Sequence, residues 1–198
     1  MKILAVSDTV TPALVAAAGP ESPPSVDIVI SCGDLPPEYL SALAATFQVP
    51  LYYVRGNHDI RNQDSSPAGC TDINLRRVRL GALNMLGIEG SRWYNGGPYQ
   101  YTEAEMRWRL FTLRPSLWWG RGVDIVVTHA PPRFIHDAED PCHRGFRAYL
   151  RLIRRYRPSV FLHGHIHRNF ESDEARVTRI GETKVINCYG YTIIDIPS

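Results

Sequence analysis

Runs of valine, isoleucine and leucine recur along the chain without alternating with polar residues: Ile3 to Val6, Val26 to Ser31, Leu51 to Val54, Val123 to Thr128 and Ser159 to His163. Strands buried on both faces look like this. Between several of these runs the apolar positions take a helical spacing. Pro36-Pro37 opens a predicted helix to about Phe47, since proline suits a first turn. Tyr101 to Trp118 reads as a longer helix that Pro115 bends or ends early. Arg144 to Tyr156 reads as another, with Phe146, Tyr149, Leu150 and Ile153 on one face and Pro158 as its stop. Two stretches resemble antiparallel pairs: Arg76 to Leu80 with Leu83 to Ile88, and Arg176 to Ile180 with Lys184 to Cys188, followed by Tyr191 to Ile196. Gly19 to Ser25 and Asn62 to Asn74 are loops by composition. The pattern predicts one layered α/β domain with mixed sheets over residues 1–198.

Composition narrows the picture only a little. A chain of 198 residues with 44% apolar and 21% charged residues is an ordinary globular domain. A net charge of +2 singles out no class of partner. No apolar stretch is long enough to span a membrane. Met1 to Val6 is interrupted too soon by Ser7-Asp8 to read as a signal peptide. Cys32, Cys70, Cys142 and Cys188 lie far apart with no Cys-x-x-Cys pair, so neither a disulfide framework nor a cysteine-rich zinc site is expected, and a reducing cytoplasm is the simplest home.

The chemistry lies in where metal-capable side chains fall. Asp8 follows the first predicted strand, Asp34 the second, Asn57 and His58 the third, His129 the Val123 strand, and His165 and His167 the Ser159 strand. Sites in α/β sheets assemble at the carboxyl ends of strands. Asp, Asn and His suit Mn, Fe, Zn or Ni better than Mg or Ca alone. Glycines at 33, 56 and 164 permit sharp turns and close backbone approach. Singly, each piece is more often a turn or loop polarity; what points to a site is the recurrence after successive strands.

Asp8, Gly33-Asp34, Gly56-Asn57-His58-Asp59, Thr128-His129 and Gly164-His165-Ile166-His167 together resemble, in this order, the motifs of the calcineurin-like metallophosphoesterases. The resemblance implies a four-layer α/β/β/α sandwich, two mixed sheets flanked by helices. It implies hydrolysis of a phosphate mono- or diester by a metal-activated hydroxide, with two divalent ions, manganese or iron ahead of zinc or nickel, and a small phosphorylated substrate. It places Asp8 and His167 on the first ion, Asn57, His129 and His165 on the second, and Asp34 between them. His58 would face the phosphate and support the leaving group, with Asp59 or another carboxylate orienting it. The first motif departs from the family: Val10 stands where histidine is usual. Valine cannot coordinate a metal, so the first site is expected to be weaker, with His136 and His143 as candidate substitutes. The departure leaves an alternative, a degenerate relative that binds metal or nucleotide with little turnover.

Weaker signals lie nearby. Relatives often carry a His-Gly pair just before the Arg144 helix, which makes His143 a substrate-binding candidate beside Asn57 and His58. Trp93, Tyr94 and Tyr99 form either an aromatic wall or plain packing. Trp108, Phe111, Trp118 and Trp119 read as core or interface. Arg144, Arg147, Arg151, Arg154 and Arg155 make a helical stripe, read as a solvated face rather than a nucleic-acid footprint because no interleaved aromatic platform accompanies it.

Overall fold

The Val- and Ile-rich runs become parallel interior strands of two sheets, and the stretches that read as pairs close their edges. The computed structural model describes residues 1–16, 24–60, 66–119 and 122–197, with backbone alone at 116, 118 and 119. The first sheet holds β1 (Lys2–Ser7), β2 (Ile28–Ser31), β3 (Leu51–Tyr53) and β4 (Cys70–Asp72) in parallel, with β13 (Gly190–Asp195) antiparallel to β1, in the order β13-β1-β2-β3-β4. The second holds β5 (Arg77–Leu80), β6 (Leu83–Ile88), β9 (Ile125–Thr128), β10 (Val160–His163), β11 (Val177–Ile180) and β12 (Thr183–Asn187), in the order β11-β12-β10-β9-β6-β5. Its four inner strands run parallel, and β5 and β11 pair antiparallel at its edges. A short parallel pair, β7 (Ser91–Arg92) and β8 (Gln100–Tyr101), stands apart.

Side chains alternate across each strand, so each sheet serves two layers. Ile3, Ala5, Ile28 and Ile30 meet Ile125, Val127 and Leu162 between the sheets. Leu4, Val6 and Val29 turn the other way onto Leu40 and Leu43 of α1 (Pro37–Phe47). Leu86, Val126 and Phe161 turn outward onto α2 (Glu103–Thr112), α3 (Arg114–Trp119) and α4 (Arg147–Tyr156). The layers are therefore α/β/β/α, as the resemblance implied.

Several expectations change. Residues 62–74 are not all loop: Cys70–Asp72 add an edge strand to the first sheet. Asn62 to Ser65, and Gly19 to Ser25 as far as Pro23, lie outside the described residues. The helix expected over Tyr101 to Trp118 is two. Thr102 caps the first through a capping box with Glu105, and the second begins at Arg114 with Pro115 in its first turn, where the missing N–H costs least. The last helix starts at Arg147, not Arg144, and buries Leu152 where Leu150 was expected. Trp108 and Phe111 are exposed rather than core, while the side chains of Trp118 and Trp119 lie outside the described set. All four cysteines are free. No helix among the described residues is long and apolar enough to cross a membrane.

Candidate metal centre

The carboxyl ends of β1, β2 and β3 meet those of β9 and β10, and the chain turns sharply at each. Asp8, Asp34 and His165 all take positive φ, at 64°, 57° and 68°. Non-glycine residues rarely hold that conformation, and it persists where the surroundings over-determine it. The turns are also crowded. A Cβ on Gly56 would overlap the Asp34 carboxylate and lie 2.7 Å from His129 Cε1, and one on Gly164 would overlap the Ser7 hydroxyl. Only glycine lets the two sheets' turns approach this closely.

The approach brings Asp34, His129 and His165 together, with one ligating atom of each within 4.8 Å of the others. His129 is fully buried, and its Nε2 lies 3.2 Å from Asp34 Oδ2, 3.2 Å from Asn57 Oδ1 and 3.1 Å from His165 Nδ1. Outer partners aim each group. His129 Nδ1–H donates to the Cys32 carbonyl at 2.8 Å, and His165 Nε2–H donates to the Cys142 carbonyl at 2.8 Å. Each ring thus turns its other nitrogen inward. Asn57 Nδ2 donates to the Tyr94 hydroxyl at 3.3 Å, which leaves its oxygen facing the centre. Metal-binding histidines are usually held in this way by a second hydrogen bond.

The electrostatics agree. Burial alone would lower the His129 pKa, but the Asp34 charge and hydrogen bond, with Asp8 and the Cys32 carbonyl, push it up to about 9. Burial alone would raise Asp34, but His129 and the His58 backbone N–H, donating at 2.8 Å, hold it down to about 2. Burial and the His129 charge push His165 down to about 4. One hydrogen on His129 Nε2 therefore faces three acceptors. A proton satisfies one or two of them; a divalent cation satisfies all three and takes the nitrogen as a fourth ligand. The donor set fits a metal ion.

The neighbouring group is looser. The Asp8 carboxylate is buried, and both its oxygens accept the His165 N–H, at 3.2 and 3.0 Å. His167 Nε2 lies 3.3 Å from Asp8 Oδ1, and its ring stacks on Tyr189, centroids 5.0 Å apart. The hydrogen bond to Asp8 raises the His167 pKa. Val10 is 42% exposed. Neither histidine weighed as its substitute serves there. His136 is engaged on both nitrogens, 2.9 Å from His163 Nε2 and 2.8 Å from Thr178 Oγ1. His143 pairs with Asp140 at 2.9 Å and leans on His165, centroids 5.4 Å apart, which places it beside the other group.

His58 has an exposed imidazole. Asp59 does not orient it. The Asp59 carboxylate accepts the N–H groups of Gly56 at 2.8 Å, Asp34 at 2.8 Å and Leu35 at 3.2 Å, and so ties two ligand-bearing turns together. Sequence reading missed the Cys32 and Cys142 carbonyls, Tyr189 and His163; it left Tyr94 undecided between wall and packing. Tyr94 alone gave a signal, as an aromatic in a glycine-rich loop.

A family model described as calcineurin-like phosphoesterase matches residues 1–169. Among solved structures, TT1561 of Thermus thermophilus is similar at 15% identity, covering 96% of this chain and 89% of that one, with a TM-score of 0.62. The calcineurin-like phosphoesterase YfkN from Bacillus subtilis is similar at 12% identity, covering 94% and 80%, with a TM-score of 0.52. GAP50 of Plasmodium, described as the anchor in the inner membrane complex, is similar at 12% identity, covering 96% and 71%, with a TM-score of 0.51. At such identities the likeness is one of fold. No curated protein matches the chain.

Proposed function

Since the chain belongs to the calcineurin-like phosphoesterases, we propose that it hydrolyses a phosphate mono- or diester of a small molecule at the centre formed by Asp34, Asn57, His129 and His165. The observation that carries this reading is the single His129 hydrogen shared by three acceptors, a hub better suited to a cation. Asn57, His129 and His165 would hold one ion, Asp8 and His167 a second, and Asp34 would touch both. Manganese or iron suits this oxygen-and-imidazole set, and zinc or nickel also fits. Bound there, divalent cations supply Lewis acidity that draws the pKa of a water towards about 7 and neutralises phosphoryl charge.

The chain's own residues do the rest. Asp34 receives the His58 N–H and so fixes the backbone from which the exposed His58 ring reaches the substrate. That ring would protonate or stabilise the departing oxygen. Asn57 and His143 border the same space and would bind the phosphoryl group and its substituent. The buried free thiols Cys32 and Cys188 fit a reducing, cytoplasmic setting.

Val10 favours a second reading, metal binding with little turnover, because among the described residues Asp8 and His167 alone face each other at the first site. Hydrolysis of aryl phosphate mono- and diesters with added Mn²⁺ separates the two. The enzyme reading expects His58→Ala to lower kcat by about 10²–10⁴-fold and Asp34→Ala to abolish turnover and metal uptake. Wild-type turnover no greater than that of either variant, with one ion bound per chain, selects the second reading.

A further inference from the structure

We propose that the groove between α2 and α4 docks an acidic amphipathic helix of a partner protein. The groove encloses about 580 Å³. Its floor is aliphatic, made by Leu110 and Leu117 on one side and Leu152 on the other, with Ala104 and Ala148 keeping it deep. Trp108 and Phe111 form one wall, stacked with centroids 5.6 Å apart, and are 66% and 51% exposed. Contiguous exposed apolar surface of this kind, rimmed by polar residues, marks interaction sites, and here it continues into the aliphatic floor.

The rim is basic and free of acid. Arg107, Arg114, Arg151 and Arg155 border the groove. Among the described residues no carboxylate pairs with any of them. The two glutamates of α2 are turned elsewhere: Glu103 to Arg92 and the α4 backbone, Glu105 to Thr102. α4 itself carries no acidic residue. Four arginines around an aliphatic floor are therefore uncompensated, on a chain whose net charge is only +2. The arginine stripe does have aromatic neighbours, Trp108 and Phe111 of α2 across the groove and Tyr156 of α4 itself, where the α4 sequence alone showed no interleaved aromatic platform.

Charge and shape select the occupant. An acidic rim on the partner answers the arginines, and apolar side chains answer the floor. Helices of 10 residues line both sides, giving a trough about 15 Å long, enough for anchors at i, i+3 or i+4, and i+7 of a docked helix. A single-stranded nucleic acid fits less well, because Phe111 already covers one face of Trp108 and an aliphatic floor offers bases no stacking platform. A membrane surface fits less well too, since a concave trough holds its apolar floor away from a plane. The proposal is independent of phosphoesterase activity, because the groove lies on the outer helical layer and the metal centre at the strand ends.

Titration calorimetry with a helical peptide of roughly sixteen residues tests it, with leucine at the anchor spacing and glutamate elsewhere. The expected Kd is on the order of micromolar. It should weaken at least about tenfold with the pair Arg151→Glu and Arg155→Glu, and likewise with Trp108→Ala, while thermal unfolding stays as in wild type. Should either of these variants unfold, Arg107→Glu, an exposed change on the other helix, takes its place. A lysine-for-glutamate peptide, an oligothymidylate and phosphatidylserine vesicles serve as comparison probes and should bind more weakly. No binding of the acidic peptide at millimolar concentration overturns the proposal. So does indifference to all these substitutions, or tighter binding of any comparison probe that the same substitutions remove.

Discussion

At neutral pH the inward hydrogen of His129 is what an arriving cation must displace. His129 is pushed up to about 9, whereas His165, at about 4, is already neutral. Metal binding therefore releases close to one proton, and apparent affinity should rise about tenfold per pH unit from pH 6.5 to about 9, then level off. A flat affinity between pH 6 and 8 would show that the His129 proton is not in competition with metal. The contribution of His129 to the metal-free fold has the opposite dependence. His129 has a raised folded pKa, so the stability it contributes is present below 6.5 and is lost as pH rises through about 9. Asp34 has a depressed one, so its contribution is present above 3.8 and is lost as pH falls through about 2. At this scale the ligand types were legible in the sequence, because each sits just past an apolar run, and Asp34, Asn57 and His165 each follow a glycine. The carbonyls that aim the rings were not, since every residue has one and only the fold decides which carbonyl faces a histidine.

Among the elements, α4 has the least local support for its start. Its N-cap residue, Phe146, makes no side-chain cap. Glu103, from the first turn of α2, supplies the cap instead, accepting the N–H groups of Arg147 at 3.1 Å and Ala148 at 2.7 Å. Glu103→Ala should cost about 1–3 kcal/mol, combining a lost cap with lost charge-assisted hydrogen bonds. Denaturant unfolding would read this as a lower midpoint at constant slope. A loss below about 0.5 kcal/mol, the range of an ordinary surface substitution, would mean that α4 caps itself. This contact explains why the start of α4 was misplaced by three residues in the sequence reading: the stop, Arg157-Pro158, is local, but the start is written 44 positions away. β4 escaped for a related reason. A strand of three residues at a sheet edge has no continuous apolar run, because only one side of it packs.

Across the whole molecule, the candidate ligands are shared between layers: Asp34 and Asn57 hang from the first sheet, His129 and His165 from the second. A bound ion would staple the two sheets, so its removal is felt by the entire fold. With metal at about a hundredfold over Kd the stabilisation is about 2.7 kcal/mol. For a chain of this size that corresponds to a Tm about 5–10 °C higher than with chelator. An unchanged Tm on chelation would place the ion, if any, outside the inter-sheet seam. The interior strands were legible because their apolar runs are short, rich in Val and Ile and do not alternate, and the four-layer order came from the family resemblance, whereas the sheet to which the last strand returns was not legible: β13 leaves β12 and pairs with β1. The edges have a further consequence. β5 presents exposed Arg77 and Arg79, and β11 presents exposed Arg179. Two copies meeting edge to edge would line up like charges along unpaired backbone, which discourages strand-by-strand growth into aggregates. Association of two copies through the edges of the second sheet is therefore disfavoured.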